Sequence, residues 1–133
     1  MARRILIVED DETLALLMAS VLSDAGYESE VAVSPDKARG QYDLVVADYL
    51  APTYVPGQPW PHLDQLRALA KDGRILGCTG HLDALSDPPA RLGVLAVTAK
   101  PFDVDALVRK VDELLAQGRR VAGASPLFAP TAA

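Results

Sequence analysis

The sequence predicts a single α/β domain built on a doubly wound, five-stranded parallel sheet. Three observations carry that prediction. Short unbroken apolar runs recur along the chain. Several are followed by amphipathic helical spacing, and four end on a carboxylate, a threonine or a lysine. A continuous apolar run of four or five residues fits a strand buried on both faces. Alternation of such runs with helical stretches fits consecutive βα units. The 133 residues suit one domain and suffice to bury a core without staples.

The elements follow in order. Ile5 to Val8 is the first strand, stopped by the acidic run Glu9-Asp10-Asp11-Glu12. From Thr13 the period becomes helical, with Leu14, Leu17, Met18, Val21 and Leu22 at spacings of three and four and Gly26 as the stop. Glu28 to Val33 reads as a second strand. Ser34-Pro35 reads as an N-cap followed by proline at the first helical position, opening a short helix to about Gly40. Tyr42 to Ala47 contains the third strand, closed by Asp48. Ala51 to Pro61 contains four prolines and a glycine and is irregular. Leu63 to Ala70 is helical, with Leu63, Leu66 and Leu69 on one face, and Arg74 to Cys78 is the fourth strand. Between His81 and Arg91, Ser86-Asp87-Pro88-Pro89 limits any helix to a turn or two. Val94 to Val97 is the fifth strand. Asp103 caps a last helix that buries Val104, Leu107, Val108, Val111, Leu114 and Leu115 and stops at Gly118. The domain is expected over 1–120, with a disordered tail over 121–133 rich in Ala and Pro.

Composition narrows the function. A net charge of −5 disfavours unspecific binding to nucleic acid or anionic membrane. No zinc-finger spacing or basic aromatic stripe is present. The lone Cys78 sits in an apolar run and reads as a small buried hydrophobe. Neither a secretory segment nor an apolar run long enough to cross a bilayer is seen, so a cytoplasmic location is expected.

In doubly wound sheets, ligands bind outside the carboxyl ends of the strands. Those ends carry Glu9 and Asp10, Asp48, Thr79 and Lys100. Each has a plainer reading alone: a solvated charge run opening a helix, a loop carboxylate, a turn threonine, a surface lysine. His81 reads as exposed and structural, and with His62 makes no metal-ligand spacing. Together the strand-end residues say more. Converging carboxylates repel and are costly to bury without compensation. A magnesium ion, which favours hard oxygen ligands and phosphate, relieves that cost. A lysine supplies a point charge for a phosphoryl oxygen. The set therefore suits an aspartate that accepts a phosphoryl group as an acyl phosphate.

With those residues in view, the chain resembles the receiver domain of two-component response regulators (the CheY-like, flavodoxin-like fold). The resemblance lies in RRILIVEDDE, DLVVADYLAP, RILGCTGH and AKPF, taken in order, with Lys100 standing 52 residues after Asp48. It covers about residues 3 to 117. It implies strand order 2-1-3-4-5, Asp48 as phosphoacceptor, and Mg2+ held by Asp10, by Glu9 mainly through water, by Asp48, and by the backbone carbonyl of Leu50. It also implies that Thr79 and Lys100 bond the phosphoryl group and that Pro101 shapes the turn after the lysine, through a cis bond in some members. A histidine kinase or phosphotransfer protein would be the donor, and a downstream protein the target, without direct nucleic-acid binding. The sequence departs from the family in the proline-rich 51–61 loop, in Val97 where an aromatic residue is usual, and in the fourth helix interrupted at Pro88-Pro89.

Two other readings compete. A receiver-fold interaction module independent of phosphorylation would use Trp60 and Tyr54 as a constitutive partner surface. A metal-dependent phosphohydrolase would need a substrate cavity and a cap. A flavin or dinucleotide site fits poorly, because the loop after the first strand is acidic where a phosphate cradle wants glycines.

Overall fold

The computed structural model describes residues 2–100 and 103–123, with 117–123 by backbone alone. Five strands, β1 (Arg4–Val8), β2 (Glu28–Ala32), β3 (Leu44–Asp48), β4 (Ile75–Thr79) and β5 (Ala96–Ala99), form one parallel sheet in the order β2-β1-β3-β4-β5. The expected fold class and strand order hold.

Register does the positioning. Val8 of β1 pairs with Ala47 of β3, so the next residues, Glu9 and Asp48, leave the sheet side by side. Asp48 pairs with Cys78 on β4, and Thr79 pairs with Ala99 on β5. Glu9, Asp48, Thr79 and Lys100 therefore fall along one edge, where the winding reverses between β1 and β3.

Side-chain alternation sends successive strand residues to opposite faces. Ile5, Ile7, Leu44, Val46, Leu76 and Cys78 pack under α1 (Glu12–Asp24) and α4 (Val104–Gly123). Leu6, Val8, Val45, Ala47 and Ile75 pack under α2 (Leu63–Leu69), α3 (Pro89–Leu92) and the indole of Trp60. Helix α1 is capped by Asp11, whose carboxylate accepts the Leu14 N–H at 3.1 Å. Its buried residues are Ala15, Met18 and Leu22. Leu17, expected in that stripe, is 50% exposed, because the helix turns Ala15 rather than Leu14 and Leu17 squarely onto the sheet. Helix α4 buries Leu107, Val111, Leu114 and Leu115 as expected, and Asp103 accepts the Asp105 N–H at its start.

Several expectations need correcting. The helix expected after β2 is one 3-10 turn, Pro35–Lys37. Ser34 does not cap it: its hydroxyl bonds the Asp36 carboxylate instead of a backbone N–H. The 81–91 stretch, by contrast, is short and broken at Asp87-Pro88 as expected, with a 3-10 turn at Leu82–Ser86 and then α3. The fifth strand starts two residues later than the apolar run, because Val94 still belongs to the helix end. Gly93 is left-handed at φ 83°, and the Val94 N–H reaches back to the Pro89 carbonyl at 3.1 Å. Helix α4 does not stop at Gly118 but continues through the described residues to Gly123. Pro101, with any cis bond there, and the tail from 124 onward lie outside the described residues.

Candidate functional site

The acidic run after β1 divides its labour. Asp11 caps α1 and Glu12 sits in its first turn, as the plainer reading of a helix-opening charge run has it. Asp10 is exposed at the mouth of a cleft. Glu9 turns inward and is 1% exposed. Its Oε2 accepts the Asp11 N–H at 3.2 Å. Its Oε1 has the Lys100 ammonium at 2.7 Å, and among the described residues no backbone or hydroxyl donor reaches it.

Lys100 also lies 2.7 Å from Asp48 Oδ1, so one ammonium bridges both carboxylates. Its backbone fixes it there, since the Lys100 N–H donates to the Thr79 carbonyl at 2.8 Å as β5 leaves the sheet. Burial pushes the Glu9 carboxyl above its ordinary range, with Lys100 and the Asp11 N–H pulling the other way. For Lys100, burial works against the charge, yet its bonds to Asp48 and Glu9 hold its pKa above the usual lysine value. The ion pair is thus what keeps these buried charges together.

Glu9, Asp10 and Asp48 each offer a carboxylate oxygen, and these lie within 4.8 Å of one another. The donors are all hard oxygens, the class that suits a small divalent cation. The cluster can coordinate a divalent metal. Neither histidine belongs to such a group among the described residues.

The cleft over the cluster is lined by Asp10, Asp48, Leu50, Pro52, Gly80 and His81. Leu50, expected from the resemblance as a carbonyl ligand, lines this cleft. Thr79 is wholly buried at the end of β4, and its hydroxyl oxygen accepts the His81 N–H at 2.8 Å. It does not line the cleft in this state.

Two residues behave differently from expectation. His81 is half-buried rather than exposed. Its Nε2 donates to the Ala51 carbonyl at 3.2 Å, and its ring stands edge-on to Tyr49 at 5.3 Å. Trp60 is no partner surface: it is 1% exposed and sits on β4, where a Cβ on Gly77 would lie 2.5 Å from its ring. The same loop is fastened elsewhere. Tyr54 donates its hydroxyl to Asp87, the Gly57 N–H donates to that carboxylate at 3.2 Å, and the Trp60 N–H donates to the Leu92 carbonyl at 2.9 Å. Nothing in the spacing of a proline-rich loop signals this. The one usable hint is a lone tryptophan facing a glycine within a strand, the place where a strand is closely approached.

A carboxylate–lysine cluster at the switch point of a doubly wound sheet matches the layout expected from the sequence. The comparisons agree. No family model matches the chain. The transcriptional regulatory protein PcoR of Escherichia coli is 30% identical over 124 residues, which cover 88% of this chain and 53% of PcoR, so the chain spans about half the length of that curated relative. A response regulator from Chloroflexus aurantiacus is 30% identical with a TM-score of 0.70, over 87% of this chain and 99% of that one. The CheY-like receiver domain protein from Methanospirillum hungatei gives a TM-score of 0.72 at 22% identity, over 91% and 99%. The chain belongs to the response regulator family and has its CheY-like receiver fold. No helix among the described residues is long and apolar enough to cross a membrane.

Proposed function

We propose that Asp48 is the phosphoacceptor of this receiver domain. The observation that carries the proposal is the Lys100 ammonium, 2.7 Å from both Asp48 and Glu9 at an open cleft. In this reading an Asp48 carboxylate oxygen attacks phosphorus, and the bond from phosphorus to the donor's imidazole nitrogen breaks, its electron pair staying on nitrogen. The product is an acyl phosphate. Lys100 follows the negative charge onto the phosphoryl oxygens. Thr79 turns its hydroxyl to the new group, giving up its bond to the His81 N–H, and so couples the phosphoryl group to the segment after β4.

Glu9, Asp10, Asp48 and the carbonyl of Leu50 would hold Mg2+. Bound there, it would neutralise charge on the transferring oxygens. The donor would be a histidine kinase or phosphotransfer protein in the cytoplasm, and the output an altered contact with a downstream protein rather than with nucleic acid.

The test is incubation with magnesium and acetyl phosphate, followed by intact mass and by borohydride trapping of the acyl phosphate. Wild type gains one phosphoryl group, trapped at Asp48, and Asp48→Asn gains none. An undiminished adduct in Asp48→Asn sinks the assignment.

A further inference from the structure

Resting on the reading of Asp48 as phosphoacceptor, we infer that Trp60 is a positioning residue for Asp48, gripping the backbone that presents the carboxylate. The indole holds the end of β3 in three ways, two of them direct and one through the neighbouring strand β4. Its Nε1–H donates to the Asp48 carbonyl at 3.4 Å. Its ring meets that of Tyr49, the next residue, edge-on at 4.9 Å and 82°. Its six-membered ring lies on the bare backbone of Gly77, whose β4 position is paired with Ala47, the residue before Asp48. The grip is set from outside the sheet, because the Trp60 backbone N–H is fixed to the Leu92 carbonyl at the end of α3.

This placement fits positioning better than core filling alone. A leucine or phenylalanine would fill apolar space at that depth without exposing a donor that must find a partner. The partner it finds is the carbonyl of the residue whose side chain forms the site. The loop from Ala51 to Pro61 brings the tryptophan back to β3, and the glycine at 77 makes room for it. Both features leave the carboxylate itself untouched.

Trp60 is the single tryptophan of the chain, so biosynthetic replacement by 3-benzothienylalanine alters this position alone. Sulfur then stands where the N–H was, with the bicyclic shape kept. Trp60→Phe serves as a second variant that keeps a ring over Gly77 and loses the donor. Rates of acetyl phosphate labelling and magnesium affinities are measured on the whole chain, with melting temperatures alongside. The expected result is a labelling rate about two- to fivefold lower in both variants, the size of one modest hydrogen bond, with the benzothienyl protein still folded at the assay temperature and its melting temperature lowered by no more than about 5 °C. A benzothienyl protein that labels and binds magnesium like wild type overturns the positioning role, including where Trp60→Phe alone is slow, because packing then explains the loss. Absence of any adduct on wild type would instead overturn the phosphoacceptor reading of Asp48.

Discussion

Removing the Lys100 ammonium would leave Glu9 and Asp48 facing each other with no counter-charge between them. Lys100→Met should therefore lower stability by about 1–3 kcal/mol at pH 7 in the absence of divalent cations. The sign of its pH dependence follows from Glu9. A carboxyl whose folded pKa is raised by burial takes up a proton more readily folded than unfolded, so its penalty is relieved as pH falls through that pKa. Urea unfolding at pH 7 and pH 5 should show the deficit shrinking at the lower pH; a constant deficit would mean that Glu9 does not carry it. Cys78 makes a second residue-scale prediction. Full burial pushes its thiol up to about 12, so maleimide at pH 8 should label it only at the rate of global unfolding. The strand-end residues were legible in sequence because parallel register turns strand ends into neighbours. The burial of Trp60 and the His81 contact with Ala51 were not, because a loop with four prolines has no period from which an inside face can be read.

Elements were read well where one periodicity ruled and less well where two competed. Val94 looks like strand by hydropathy, yet its N–H completes the end of α3. Ser34-Pro35 looks like a helix start, yet the Ser34 hydroxyl is spent on Asp36, and only one 3-10 turn forms. The edge between β1 and β3 carries its own test. Asp43, just before β3, accepts the Arg4 N–H at 2.7 Å and pairs with Lys71 at 3.4 Å. Burial would raise its pKa, but the Arg4 N–H and Lys71 outweigh it and hold it below the ordinary range. A depressed carboxyl stabilises above its unfolded pKa and loses that contribution as pH falls through the folded value. Stability should thus decline from about pH 4 downward, and the decline should be shallower in Asp43→Asn, as followed by urea titration. On the neighbouring strand, Gly77→Ala should cost about 1–3 kcal/mol through collision with Trp60, and Trp60→Ala about 3–5 kcal/mol. If Gly77→Ala unfolds like wild type, the indole does not lie on β4.

Across the whole molecule, the pocket and the surface beyond it are joined by the loop from Ala51 to Trp60. It is tied at His81, at Asp87 and at Leu92, all in the stretch that follows β4. In this chain the interrupted helix region is therefore braced from below rather than left loose, and Val97 is half-buried against the same core. Breaking one tie with Asp87→Ala should loosen the loop without touching the acidic cluster. Amide hydrogen exchange should rise at Gly57, while the magnesium affinity of the Glu9–Asp10–Asp48 cluster stays within about twofold of wild type. A large drop in that affinity would show that the brace also shapes the cluster.

The position of Trp60 has an optical consequence. One buried indole, donating to the Asp48 carbonyl and flanked by the Tyr49 ring with the Tyr54 ring tilted beyond it, should emit toward the blue end of the tryptophan range. It should also collect excitation from both phenols. Any event at the carboxylate that tilts the end of β3 then registers as a change in colour or yield of a single emitter. The chain carries its own lamp beside its chemistry, and cation binding or phosphorylation can be timed by stopped-flow fluorescence with no label attached.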